Sequence, residues 1–432
     1  MTQFHNKKIF ASSLCCALLV LALMAGCASP PVADTRVLPK TSAMPTMPAA
    51  ARAACYRPTC CDETLDAAAL RFEPHRLNCR AIALTAEGRD NESLSALQTA
   101  VALAKAETAQ KMAATEVLCF ALNDIAHRAD ARGDDVGSRT PFDGNLAACK
   151  ARFGDASDEA AQALFGGASQ HLRRGRYDVA RPQLLQVIAL SRGNGNRGLE
   201  SFATDALGRL YDERGDHVEG RRLLREAIAI KTTVFGARSK ELAVSFTNLG
   251  ASYIDSNEGK TGRDWYRKAI ALYTETLGAA NASTLDVESA LAASHLGDGE
   301  TQQAEHLYEL LLPKFVQTYG GTDERTVVII NDWGASLARQ KRYSDALIKF
   351  EQALSIRRST VPNSVRHGYS VLNAAKMKKV TSTCTAAEPL RNEARRVSSA
   401  NMTPAQRANP DAVRFVKGVV AFEQECAPSK KK

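Results

Sequence analysis

Residues 205–227 read DALGRLYDERGDHVEGRRLLREA, and residues 247–269 read TNLGASYIDSNEGKTGRDWYRKA. Aligned at a step of 42, the two segments share a register that continues along the chain. Leu207-Gly208 recurs as Leu249-Gly250, Leu291-Ala292 and Trp333-Gly334. A second column runs Gly220, Gly262, Ala304, Ala346, and a third Leu224, Tyr266, Tyr308, Phe350. The fourth is Ala227, Ala269, Leu311, Ala353, and the fifth Gly236, Gly278, Gly320. Self-similarity at a fixed period of this size is the mark of a repeat array.

Each column has a physical reason. A small residue after Leu207 lets one helix of a pair approach its partner's backbone. Gly220 and its equivalents do the same from the partner helix. A large apolar residue four places on and alanine three further give the i, i+4, i+7 stripe of an amphipathic helix. Gly236, Gly278 and Gly320 end the second helix, where a residue with positive φ is wanted. Arg214-Gly215-Asp216, Ser256-Asn257-Glu258-Gly259 and Gly297-Asp298-Gly299 mark the turns within pairs. A looser unit is visible at Gly175, Tyr177, Ala180, Leu184 and Val187, and a fainter one runs from Ala81 through Gly88 to Ala102. After Val361-Pro362 the period stops. His367–Val380, Ala386–Ala400 and Asp411–Glu425 read as helices that cap the last apolar face.

The pattern resembles the tetratricopeptide repeat in its 42-residue form, known from kinesin light chains. Leu207, Gly208, Tyr211, Gly220, Leu224 and Ala227 fall on the family's signature places, as do Leu249, Gly250, Tyr253, Gly262, Tyr266 and Ala269. The third copy has His295 for the tyrosine and Leu311 for the alanine, and the fourth has Leu337 for the tyrosine. The resemblance implies an all-α fold, a right-handed superhelical solenoid of antiparallel helix pairs with a helical carboxy-terminal cap. It also implies a concave groove lined by first helices that binds a peptide or partner helix. The inward places fall on Asp205, Arg209, Asp212, Thr247, Asn248, Asp255, Ser289, Asn331, Asp332 and Arg339. Asn248 is the leading candidate for clamping a peptide backbone. A solvated groove side chain is the alternative reading of each. With only Arg209 and Arg339 placed for it, a clamp for an acidic peptide terminus is disfavoured.

At the amino terminus Lys7 and Lys8 precede an apolar stretch, Ile9 through Ala25, too short for a confident span and suited to an export signal. It ends Leu23-Met24-Ala25-Gly26-Cys27, which resembles the lipobox of bacterial lipoproteins, with methionine at a place where leucine is usual. The resemblance implies that Cys27 is lipidated. Ala28 and Ser29 carry no acidic retention signal, so the inner leaflet of the outer membrane, facing the periplasm, is the expected address. An ordinary cleaved signal or an uncleaved anchor is the alternative. Pro30, Pro31, Pro39, Pro45 and Pro48 make residues 27–50 a solvated tether. The organisation expected is thus a signal at 1–26, a tether at 27–50, a cysteine-containing helical region at 51–159, the array at 160–360 and a basic cap at 361–432.

Eight cysteines remain beyond Cys27: 55, 60, 61, 79, 119, 149, 384 and 426. An even count in an exported chain points to disulfides. Local closure suggests Cys384–Cys426 and Cys119–Cys149, with Cys55, Cys60, Cys61 and Cys79 pairing among themselves in an undetermined order. Buried thiols and a metal site at Cys55-x4-Cys60-Cys61 are alternatives, but no histidine pair at ligand spacing supports metal.

Catalytic patterns carry little weight here. Gly259-Lys260-Thr261 imitates the end of a phosphate-binding loop, yet Ile254 stands where that loop needs glycine. His-Glu-x-x-His and Gly-x-Ser-x-Gly are absent. His295 occupies a packing place. No enzyme, cofactor or metal is expected. An envelope redox or hydrolytic protein using the cysteine-rich region is the rival reading.

The chain has 432 residues, 45% hydrophobic, 24% charged and 6% aromatic, with a formal charge of +9. That composition excludes wholesale disorder. Residues 361–432 hold 13 Lys/Arg against 5 Asp/Glu, and residues 27–360 are close to neutral. Without a basic stripe interleaved with aromatics, nucleic acid is not an expected partner. A local anionic glycan or lipid headgroup at the basic end is a further alternative. The leading expectation is a lipid-anchored envelope scaffold holding a protein or peptide, with assembly of an envelope complex as one use.

Overall fold

The computed structural model describes residues 73–86, 89–107, 111–131, 135–362, 364–399 and 410–426. Cys27, the tether, and Cys55, Cys60 and Cys61 lie outside the described residues. Every regular element among the described residues is an α-helix. None of these helices is long and apolar enough to cross a membrane. The described residues form two compact units, divided between Ser256 and Asn257.

The amino-terminal unit begins with α1 (Glu73–Ala86), α2 (Asp90–Ala106), α3 (Lys111–Ala131) and α4 (Asp135–Phe153), followed by α5 (Asp158–Arg173), α6 (Tyr177–Gly193), α7 (Arg197–Glu213), α8 (His217–Phe235) and α9 (Lys240–Asp255). The carboxy-terminal unit holds α10 (Gly259–Leu277), α11 (Ala282–Gly297), α12 (Thr301–Tyr319), α13 (Glu324–Arg339) and α14 (Tyr343–Thr360). It closes with α15 (Val365–Thr381), α16 (Glu388–Ser399) and α17 (Pro410–Glu425). Within each unit consecutive helices pack on one another, so each is an all-α helical repeat solenoid.

The repeat columns are the core. Leu224, Tyr266, Tyr308 and Phe350 are all buried, as are Ala227, Ala269, Leu311 and Ala353. Burying a side chain of the Leu or Phe class contributes about 1.5–3 kcal/mol. One such residue per helix pair therefore gives each hairpin a reason to stack on the next.

The glycine columns separate into two physical roles. A Cβ on Gly220 would lie 2.9 Å from the Gly208 carbonyl and 3.1 Å from Asp212 Cβ, so α7 and α8 touch backbone to backbone. Gly220→Ala should therefore destabilise the chain by about 1–2 kcal/mol, overpacking outweighing the gain in helix propensity. A shift in the urea midpoint checks it. Gly236, Gly278 and Gly320 end their helices at φ 84, 95 and 91° with ψ 166, 157 and 157°. All three have the positive φ that the sequence calls for, in a region essentially restricted to glycine. The reason lies just beyond. The chain must re-extend at once so that Ser239, Asn281 and Asp323 can cap the next helix, accepting from the backbone amides of Leu242, Ser283 and Arg325.

The inner turns repeat a second positive-φ position: Gly215 (88°), Asn257 (66°), Gly299 (83°) and Lys341 (63°). Glycine and asparagine tolerate this, and lysine is strained there by about 1–2 kcal/mol. Lys341→Gly should raise stability by about 0.5–1 kcal/mol, less than the full strain because the unfolded chain gains freedom. Thermal unfolding of the variant measures this directly.

Cys119 and Cys149 are joined at 2.05 Å across α3 and α4, and Cys384 and Cys426 at 2.12 Å tie the segment after α15 to the end of α17. Cys79 is also disulfide-bonded. Closing loops of 30 and 42 residues contributes about 3–4 kcal/mol each on the chain-entropy account. The cap is packed tightly as well as stapled: a Cβ on Gly368 of α15 would meet the Phe415 ring of α17 at 2.4 Å.

Candidate functional site

The first helices carry the polar residues that the sequence places inward. In the amino-terminal unit these are α7 and α9, and their side chains are largely committed to one another. Asp205, 3% exposed, accepts from Lys231 Nζ at 2.8 Å and from Asn248 Nδ2 at 3.2 Å. Lys231 is fully buried, also donates to Ser245 Oγ at 2.7 Å, and lies 5.1 Å from the Phe202 ring centroid. Asp212 accepts from Ser252 Oγ at 2.5 Å and stands 2.6 Å from His217 Nδ1. Arg209 pairs with Glu213 at 3.0 Å, and Tyr177 donates to the other oxygen of that carboxylate. Thr247 donates back to the Ala243 carbonyl, and Asp255 is half-buried near the end of α9. The Asn248 side chain is thus held by Asp205 within the fold, where the family resemblance had it reaching for a ligand backbone.

This knitting follows from burial. A carboxylate out of water is held only if paired and hydrogen-bonded. The same logic appears at Glu200, fully buried and met by Arg192 at 2.9 Å and Arg197 at 2.5 Å.

In the carboxy-terminal unit Ser289 lies on α11, and Asn331, Asp332 and Arg339 on α13. Asn331 Oδ1 accepts from Asn373 Nδ2 of α15 at 3.2 Å. Asn373 stands 42 residues after Asn331, so the polar column runs one helix past the point where the sequence period stops. Arg339 is exposed and donates to the Leu296 carbonyl of α11. His295, 7% exposed, sits 2.6 Å from Glu300, whose carboxylate also receives Arg263 at 2.8 Å. Arg263 further reaches Asp298 at 2.6 Å.

Two acids in this unit break the pairing rule. Asp332 is 6% exposed and Asp286 8% exposed. Desolvation pushes the carboxyl of each up to about 6. Burial first, and then the charge of Asp332, hold the Tyr308 hydroxyl well above its ordinary range, and that fully buried hydroxyl has no hydrogen-bond partner. Among the described residues no three His, Cys, Asp or Glu side chains gather as a metal set.

Sequence reasoning missed Lys231, Asp286 and Asn373. A signal existed for each. Lys231 directly follows the apolar run Ala227–Ile230, and Asp286 takes a column place held by Val244 and Val328 in the adjoining copies. Asn373 continues a column already marked by Asp205, Thr247, Ser289 and Asn331.

Tetratricopeptide-repeat family models match residues 203–239, 242–282 and 283–359. Those segments are tetratricopeptide repeats. Among curated proteins no sequence match is found. Several solved structures are similar. A kinesin-light-chain-type protein of Podosopora anserina with nearly identical TPR-like repeats is 18% identical, with a TM-score of 0.41 over 46% of this chain and 94% of that one. BtubC (BKLC) of P. vanneervenii is 18% identical, with a TM-score of 0.45 over 57% and 94%. A Rap protein complexed with Competence and Sporulation Factor is 11% identical, with a TM-score of 0.48 over 77% and 89%.

Proposed function

We propose that this chain is a non-enzymatic scaffold that holds a protein or peptide partner on the inner faces of its repeat helices. One observation carries the reading. In the carboxy-terminal unit a polar column, Ser289, Asn331 and Asn373, occurs once per repeat on the first helices α11, α13 and α15. Regular spacing of hydrogen-bonding groups suits an extended or helical segment better than a compact small molecule. The partner belongs to the cell envelope, and the scaffold is held to the membrane by lipid on Cys27, with residues 27–50 as tether. The lipobox-like sequence supports the anchor, and the disulfides at Cys119–Cys149 and Cys384–Cys426 suit an oxidising compartment. Assembly of an envelope complex is the use this arrangement serves.

Two experiments test the two halves. Metabolic labelling with an alkyne-bearing fatty acid should mark the wild type and not Cys27→Ser; equal labelling excludes that anchor. Affinity capture from solubilised envelope should recover a partner with wild type and lose it with Asn331→Ala combined with Asn373→Ala. Those asparagines sit less deeply than Asn248, so their removal leaves the Asp205 network intact. An unchanged set of captured proteins would rule out the inner-face reading.

A further inference from the structure

Among the described residues of the carboxy-terminal unit, buried charges are met by partners of opposite sign except at Asp286 on α11 and Asp332 on α13. Arg357 has Glu324 at 2.6 Å, and in the amino-terminal unit Asp205 has Lys231 and Glu200 has two arginines. Among the described residues Asp286 makes no ion pair and no side-chain hydrogen bond, and Asp332 accepts only from Asn331, at 3.3 Å. Nearby cations are engaged elsewhere. Arg325, facing Asp286 from α13, grips Asp323 through two nitrogens at 2.9 and 3.0 Å and lies over the Tyr319 ring of α12. Arg357 of α14, facing Asp332, spends itself on Glu324 at 2.6 Å and Ser370 at 2.8 Å. Arg339 is held by the Leu296 carbonyl, and Arg263 of α10 by Asp298 and Glu300.

Both acids adjoin the polar column. Asp286 is one helical turn before Ser289 on α11, and Asp332 follows Asn331 on α13. Tyr308 of α12 supplies an independent sign of an incomplete site, since its hydroxyl is fully buried without an acceptor or donor. Leaving a carboxylate and a hydroxyl underused in a dry setting is unfavourable, and a bound cation would satisfy both demands.

The geometry points to a cationic segment, rich in lysine or arginine, as the partner of the carboxy-terminal unit's inner face, with Asp286 and Asp332 as the carboxylates that receive it. The inference rests on the scaffold reading above and names the chemistry of its partner. Binding titrates these acids into their charged form, so it strengthens as pH rises through the range where the free carboxyls ionise.

The test uses the full chain and two probes, an oligolysine and an oligoglutamate peptide of equal length, by titration calorimetry. Oligolysine should bind, and binding should weaken about tenfold or more in Asp286→Asn combined with Asp332→Asn, as expected when close charge pairs are removed. Wild-type affinity should fall similarly between about pH 7.5 and about pH 5, while the double variant's stays flat over that window. Circular dichroism confirms that the variant is folded. Equal binding by the double variant, preference for oligoglutamate, or absence of oligolysine binding overturns the proposal. Should envelope capture through Asn331 and Asn373 succeed while oligolysine binding fails, the scaffold reading stands and the cationic assignment alone falls.

Discussion

Replacing Lys231 with methionine should cost about 3–5 kcal/mol of stability at neutral pH, more than any other single substitution considered for this chain. The methionine fills the space beside Phe202 but leaves Asp205 buried with only Asn248 as donor. Most of the loss is the uncompensated carboxylate, since a paired buried charge contributes little net stability. A second change isolates that cause. Adding Asp205→Asn to Lys231→Met removes the stranded charge and should restore most of the stability. Urea unfolding of the two variants decides between charge and packing. If the double variant is as unstable as the single one, the lysine acts by filling volume.

Asp286→Asn and Asp332→Asn should each do the opposite and stabilise the protein at neutral pH. The folded carboxyls sit at about 6, above the ordinary value of 3.8. A raised acid favours the fold in its protonated form. The wild type is therefore most stable with respect to these groups below about pH 4, and it loses that stability as pH rises to about 6 and beyond. A shift of about two units corresponds to an order of 2–3 kcal/mol per residue. Each variant should match the wild type near pH 4 and exceed it increasingly up to pH 7, reaching about that difference. Chemical denaturation at several pH values checks the divergence. Parallel curves would show that neither acid is desolvated as its burial indicates.

The sequence made the repeat legible because packing needs the same residue sizes every 42 positions. Leu224, Tyr266, Tyr308 and Phe350 announce the core, and Gly208 with Gly220 announces the helix contact before any coordinates. The disulfides at Cys119–Cys149 and Cys384–Cys426 follow from proximity along the chain. The inner face was legible by place and much less so by state. Asp205 and Asp212 are where the register puts them, yet Lys231 and His217, which hold them, come from α8, and a one-dimensional period does not say which second-helix residue reaches across. Asp286 was visible only as an acid in a valine column. Its meaning depends on Arg325 being engaged by Asp323, a fact of three-dimensional packing. Asn373 was hidden because the apolar columns fade after Val361 while the polar one continues.

The central claim is that a partner lies against the inner faces of the first helices. Site-specific photo-crosslinking in intact cells tests it most directly, with the photoreactive residue placed at Ser289, Asn331 or Asn373 and, as controls, at Lys268 and Ile348 on the second helices. The account predicts one discrete adduct shared by the three inner positions and missing from both controls. Adducts from Lys268 or Ile348 alone, or none from the inner positions in folded protein, would contradict it.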